Sequence, residues 1–319
     1  TVVVLNGDIP LLRATTLRDL VAGHEAAGAA ATVLTAEVPD PTGLGRIIRA
    51  ADGRFTSIVE ERDATERQRT LREINAGAYV FAAAELRKCL AKLSSDNSQG
   101  EEYLTEVLSM LVDAGQPVVA HRAADHTETL GANDRAELAV LRALLRDRVN
   151  LGWMRSGVTL IDPATTWVDV TVSIAPDALI EPNTHLRGAT EIAEQATVGP
   201  DTTLIDATVL AGATVVRSHV VGAEVGPAAQ VGPFAYLRPG TRLGARAKIG
   251  TFVEAKAADV GAGAKVPHLT YVGDATIGEG TNIGAATVFV NYDGVHKHRT
   301  SVGAHARTGA DNMFVAPVT

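Results

Sequence analysis

Residues 225–249 read "VGPAAQVGPFAYLRPGTRLGARAKI". Cut every six residues, the stretch puts Val225, Val231, Leu237, Leu243 and Ile249 at the head of successive units, often with a small residue next. A step of six fits neither the helical period nor the alternation of a simple strand. It fits a parallel β-helix: each hexad is one flat side, three sides close a triangular coil, and the aliphatic residue points inward. The hexad form of this solenoid is the left-handed β-helix, an exception to the usual right-handed crossover. The beat extends outward in both directions. Ile174, Ile180, Leu186, Ile192, Val198 and Leu204 precede the stretch; Val260, Val266 and Val272, then Ile277 and Ile283, follow it after five-residue slips.

The first half has another rhythm. "TVVVLNGD", "AATVLTAEV", "GRIIRA", "FTSIVEE" and "NAGAYVFAA" read as strands, with "TTLRDLVAGHEAAG" (capped by Thr), "AAELRKCLAKL" and "EEYLTEVLSMLVDAG" as helices. Such alternation predicts an α/β layer with a mostly parallel sheet. "NDRAELAVLRALLRDRVNLGWMRSG" reads as one long helix ending at Gly157. The chain is therefore expected to divide into an α/β domain over 1–133, a linker helix over 134–156 and a β-helix domain over 157–319.

Composition narrows the function. The net charge of −8 and an aromatic content of 4% argue against a nucleic-acid or membrane-surface partner. One cysteine, Cys89, cannot form an internal disulfide, so a reducing cytoplasm is the expected compartment and a buried structural thiol the expected role. No apolar run reaches the ~20 residues of a membrane helix. The chain opens without Met on a strand and closes on "FVAPVT" in mid-pattern, so both ends read as cut.

The plain repeat is interrupted at a few places. Arg238 and Lys256 are eighteen residues apart, one coil, so they stack. Stacked cations repel unless an anion lies between them, and a sugar phosphate is one candidate; two solvated surface cations are the alternative. "KVPHLTYVGD" then brings His268 and Tyr271. Histidine suits general-base work near neutrality, although a lone histidine in a repeat is commonly structural. "FVNYDGVHKHRT" inserts a polar loop; His296 and His298 flank Lys297 with no carboxylate or cysteine read at ligand spacing, so no metal site is expected there. In the first half, Asp8 of "NGDIP" follows a strand, at the sheet edge where ligands bind, and could hold Mg²⁺ against phosphates or simply close a turn. The glycines of "GLGRI" allow a ligand near the backbone.

Taken with "DPTGLGRI", "IVEERDAT", "EINAGAY", "VGPFAYLRPGT", "PHLTYVGDATIGEGTNIGA" and "VAPV", these motifs make the chain resemble, from Thr1 to Thr319, the bacterial bifunctional N-acetylglucosamine-1-phosphate uridylyltransferase / glucosamine-1-phosphate N-acetyltransferases. "PHLTYVGD" with "NYDG" at this interval is the most specific part. The resemblance implies a partial Rossmann-like nucleotidyltransferase domain joined by a long helix to a left-handed β-helix. It also implies two activities in UDP-N-acetylglucosamine supply for cell-wall synthesis. The β-helix would acetylate glucosamine 1-phosphate from acetyl-CoA, and the α/β domain would join the product to UTP. Three chains would pack their β-helices into a homotrimer, each acetyltransferase site drawing on neighbouring chains.

Carried over residue by residue, His268 matches the general base, and Arg238 and Lys256 the sugar-phosphate binders. Tyr271, Asn282, Asn291, Tyr292 and Lys297 match further contacts in that site, and Ala285 and Ala310 the acetyl-CoA site, Ala310 standing where a serine is usual. Asp8 and Asn133 match the Mg²⁺ ligands, while Gly45, Glu60 and Asn75 match contacts to the N-acetylglucosamine moiety. Unaided, Asn133 reads as a helix cap. The glycine-rich nucleotide loop and its lysine are not among the residues, nor are the last coils, so this stretch alone is expected to show no uridylyl transfer and weak or no acetyl transfer. Two other readings stay open: a pyrophosphorylase whose β-helix only trimerises, and a non-catalytic scaffold subunit.

Overall fold

A computed structural model describes residues 1–93 and 102–319. The chain forms two compact units, Thr1–Leu144 and Leu145–Thr319.

The first unit is built on one six-stranded sheet. Its strands are β1 (Val2–Leu5), β2 (Ala31–Glu37), β3 (Arg46–Arg49), β4 (Phe55–Val59), β5 (Glu73–Phe81) and β6 (Val118–Arg122). The order is β4-β3-β5-β2-β6, with β1 also paired to β5. The expectation of a mostly parallel sheet fails. Among the described residues only β2–β6 runs parallel, whereas β1–β5, β2–β5, β3–β4 and β3–β5 are antiparallel. The reason lies in the connections: a parallel neighbour needs a crossover of a dozen or more residues, and the link between β3 and β4 is a short turn. The sheet is mixed.

Helices α1 (Ala14–Ala26), α2 (Glu66–Arg69), α3 (Ala83–Leu90), α4 (Leu104–Asp113) and α5 (Arg135–Arg155) complete the main elements. Glu101, in the stretch expected to open α4, lies outside the described residues. Strand alternation separates two cores. Leu34, Ala36, Ile74, Ala78 and Val80 pack with Leu20 of α1, while Val33, Tyr79 and Phe81 pack with Leu86 and Cys89 of α3 and Val107, Leu108 and Leu111 of α4. The buried Cys89 belongs to the second core. The Thr cap expected for α1 is also corrected. Arg13 is the N-cap and makes no side-chain cap bond. Instead, the buried Glu128 carboxylate accepts from the Arg13 amide at 3.1 Å and the Thr16 hydroxyl at 2.5 Å. A distant carboxylate thus does the work of a local cap.

The second unit is a three-faced parallel solenoid. Its first face runs from Thr159–Leu160 to Lys265–His268, the second from Trp167–Val168 to Met313–Val315, and the third from Ser173–Ile174 to Thr300–Val302. Every aliphatic residue heading a unit in 225–249 is buried, in one continuous core from Val158 to Phe289. A glycine follows many of these residues because the next coil lies against it: a Cβ on Gly226 would collide with the Leu243 carbonyl. Buried threonines close the corners, as Thr184 and Thr190 donate to the Glu181 and Arg187 carbonyls at 2.8 and 2.7 Å. The last turns of α5 cover the first coil. Val149 and Trp153 pack on the core, and the Asn150 amide donates to the Pro163 and Thr166 carbonyls, both at 2.9 Å.

Candidate functional sites

In the first unit the site arises because β5 changes partner along one edge. Its first part pairs β3, where the Asn75 amide donates to the Gly45 carbonyl at 2.9 Å; its last part pairs β1, where the Asn6 amide donates to the Gly77 carbonyl at 2.9 Å. Asn75, Ala76 and Gly77 therefore floor a cleft of about 680 Å³, lined also by Asp8, Gly45, Glu60, Tyr79 and Asn133. Gly77 has φ +69°, and the Asn6 side chain lies where its Cβ would be. Only glycine fits this approach without strain.

Asn75 is held from both ends. Its Oδ1 accepts from the Gly77 amide at 3.1 Å, and its Nδ2 donates to the Tyr79 hydroxyl at 2.8 Å. Burial, reinforced by Glu60, pushes the Tyr79 phenol up to about 12, so it stays a neutral hydroxyl. Glu60 is itself pushed above the ordinary carboxylate range, first by burial and then by Asp63. A Cβ on Gly45 would stand 3.1 Å from the Glu60 carboxylate, so these two positions share one corner of the cleft. The fully buried Arg46 fastens that corner, pairing with Glu61 at 2.6 Å and donating to the Leu44 carbonyl.

Asp8 lies in the turn after β1, and its carbonyl accepts from the Ala132 amide at 3.1 Å. Asn133 directs its backbone N–H and its Nδ2 at Glu137, at 2.6 and 3.2 Å, which leaves Oδ1 as its free acceptor. The cap of α5 is the neighbour Asp134, whose carboxylate accepts from the Glu137 amide at 2.8 Å. Reading Asn133 as the cap was off by one residue. Two oxygen donors at the mouth of one cleft suit a small hard cation that also takes phosphate oxygens. Among the described residues no group of three or more His, Cys, Asp or Glu could hold an ion without such help.

In the second unit the second face carries a cation cluster. Leu237 pairs with Ala255 in register, so Arg238 and Lys256 stack as the spacing predicts. Each also has a carboxylate that sequence spacing did not reveal: Arg238 meets Glu254 at 2.8 Å and Lys256 meets Asp274 at 3.3 Å. Residues 291–298 fold into a small hairpin, with Tyr292 bridged to Lys297 and the Tyr292 hydroxyl donating to the Gly294 carbonyl at 2.6 Å. The hairpin returns Lys297 to the cluster, where Lys256 lowers its pKa, with Arg238 adding to the effect and Asp274 opposing it. Asn291 donates to Asp274 at 2.5 Å and to the Tyr271 hydroxyl at 3.4 Å. Both side chains lie over Gly273, whose Cβ would stand 2.5 Å from the Tyr271 oxygen. In the same loop, Asp293 stands 2.8 Å from His298, so a carboxylate does accompany a histidine there.

His268 closes the strand Lys265–His268 of the first face, exposed at the corner before Tyr271 opens the next strand. Among the described residues no hydrogen bond joins its imidazole to Arg238, Lys256 or Tyr271. Ala285 and Ala310 occupy the same corner in the following coils: the Ala286 amide donates to the His268 carbonyl at 3.3 Å, and the Asp311 amide to the Ala285 carbonyl at 2.8 Å. Asn282 lies on the first face, bridged to Lys265 and Arg307. The carried-over residues thus fall on two faces that meet at the His268 corner. Tyr79, Asp274 and Glu254 were not singled out from sequence. For Tyr79 a signal existed, since strand alternation puts 75, 77 and 79 on one side.

Comparison with known proteins bears on both units. The nucleotidyl transferase family profile matches residues 1–185. Among curated proteins, "Bifunctional protein GlmU" of Streptomyces avermitilis is 59% identical over 320 residues, and that of Streptomyces coelicolor 59% over 319. The protein of the same name from Corynebacterium efficiens is 55% identical over 319 residues. Each alignment covers 100% of this chain and 66% of the relative. The chain spans just under two-thirds of the length of these relatives.

Proposed function

The chain belongs to the nucleotidyl transferase family, and from that premise we propose that the protein is a bifunctional enzyme that acetylates glucosamine 1-phosphate and then uridylylates the product. The observation that carries this reading is the stack of Arg238 on Lys256, each beside its carboxylate, one coil before the His268 corner of the solenoid. A nucleotidyl transferase alone has no use for it.

In the acetyl-transfer site, Arg238, Lys256 and Lys297 hold the sugar phosphate, with Tyr271, Asn291 and Tyr292 as hydrogen-bonding contacts and Asn282 on the adjoining face. A bound phosphate offsets the repulsion between Lys256 and Lys297, which supplies part of the affinity. His268 takes the proton from the sugar nitrogen as its lone pair attacks the acetyl-CoA thioester, and the CoA thiolate leaves. Ala285 and Ala310, in the coils after His268, line the path of the thioester arm, with a backbone amide positioned for the oxyanion. The cluster and the base meet only across a corner, which favours a site completed by a neighbouring chain in a homotrimer. An exposed corner ladder of Phe234, Phe252 and Leu269, with the two phenyl rings stacked 5.5 Å apart, offers apolar surface for that packing.

In the cleft of the first unit, Gly45, Glu60 and Asn75 orient the N-acetylglucosamine 1-phosphate. Its phosphate oxygen attacks the α-phosphorus of UTP, and pyrophosphate leaves. Asp8 and Asn133 would hold Mg²⁺, which supplies charge neutralisation at the phosphates. An enzyme drawing on UTP and acetyl-CoA would work in the cytoplasm.

The test is the full-length protein carrying His268→Ala. Thiol release from acetyl-CoA with glucosamine 1-phosphate should fall by about 10²–10⁴-fold, the usual range for losing a general base, while pyrophosphate release from UTP persists. Unchanged thiol release would overturn the reading.

A further inference from the structure

The first face of the solenoid carries a column of unpaired cations. In register, Gln230 stacks on Lys248, Lys248 on Lys265, Lys265 on Asn282 and Asn282 on Arg307. Alternation with the buried Ile249, Val266 and Ile283 turns these side chains outward, and Lys248, Lys265 and Arg307 are exposed. Strands in such a sheet lie ~4.8 Å apart, and like charges directly opposite destabilise the pairing.

Elsewhere this solenoid answers stacked charge with opposite charge. Arg238 and Lys256 have Glu254 and Asp274, and on the third face Arg242 stacks between Glu224 and Asp259. The first-face column from Thr159 to Arg307 contains no carboxylate. Among the described residues Lys248, Lys265 and Arg307 join no ion pair, nor does Glu279 at the nearby corner. Two residues further along the same face come Gly250, Pro267, Gly284 and Gly309, so a floor without long side chains borders the cations.

We propose that this column is a binding site for a diphosphate group laid along the solenoid axis; its cations are separate from the Arg238–Lys256–Lys297 cluster, and Asn282 is the one residue it shares with the acetyl-transfer site. Two adjacent ammonium groups match the two phosphates, Asn282 contributes a neutral amide, and Arg307 grips the far end as a fork. A lone phosphate would leave Arg307 unused, and a nucleic acid would be repelled by the net charge of −8. The diphosphate can be free pyrophosphate, that of CoA, or that of a nucleoside diphosphate.

Calorimetric titration in EDTA with inorganic pyrophosphate, CoA and UDP tests the site and separates these sources. Lys248→Gln/Lys265→Gln changes only outward side chains, and circular dichroism checks the fold. The double variant should lose one diphosphate site per chain, or bind its preferred probe about tenfold more weakly, the loss of roughly one charged hydrogen bond. Arg238→Gln/Lys256→Gln should keep that site. If the wild-type protein binds none of the three probes, or if Lys248→Gln/Lys265→Gln binds all three as the wild type does, the proposal fails. Because the readout is binding, it stands or falls separately from the His268 assay.

Discussion

Glu60 shows how a residue lining the cleft acts on stability. Its carboxyl is raised above its ordinary value of 4.5, so the folded protein holds that proton more tightly than the unfolded chain. The contribution is fully present below 4.5 and is lost as pH rises through the folded value. Glu60→Gln removes this pH-dependent loss. Its urea midpoint should exceed that of the wild type at pH 7, and the gap should close at pH 4; an equal gap at both would refute the assignment. Asp293 has the opposite sign. Held down to about 2, first by the His296 amide and then by the His298 ring, its contribution appears above 3.8 and is lost as pH falls toward 2. Neither shift was legible in sequence, because burial and backbone donors arise only on folding.

Among elements, the solenoid strands were the easiest to read, since each buried position depends on its own hexad. The sheet direction was not, because strand pattern alone does not say which edge a neighbour takes. Caps fell between these cases: α1 is capped by Glu128, more than a hundred residues away in the chain. The cover of the first coil offers a clean test. Asn150→Ala leaves the Pro163 and Thr166 carbonyls without their donor, and should cost about 1–3 kcal/mol, read by urea unfolding of the second unit. A change below a few tenths would mean that water replaces the amide freely.

At the scale of the whole molecule, the chain holds two units with separate cores, and a single cooperative transition is not the expectation. Calorimetry should resolve two. Ile180→Ala, deep in the solenoid core, should cost about 2–5 kcal/mol and lower only one of them. Movement of both transitions together would show the units to be coupled.

Much of the second unit was decided by the amino-acid order alone. An inward aliphatic residue every six positions leaves a chain few ways to bury its core, and it aligned Arg238 over Lys256. What only folding settled is where charges meet. The Lys248–Lys265 stack escaped because its coil contains a five-residue unit and repeats after seventeen residues, and Asn282 reaches Arg307 only across the inserted hairpin. In the first unit, Gly45, Asn75 and Asp8 converge because β5 trades β3 for β1 along one edge. Such an exchange is a long-range pairing, and no local pattern of residues encodes it.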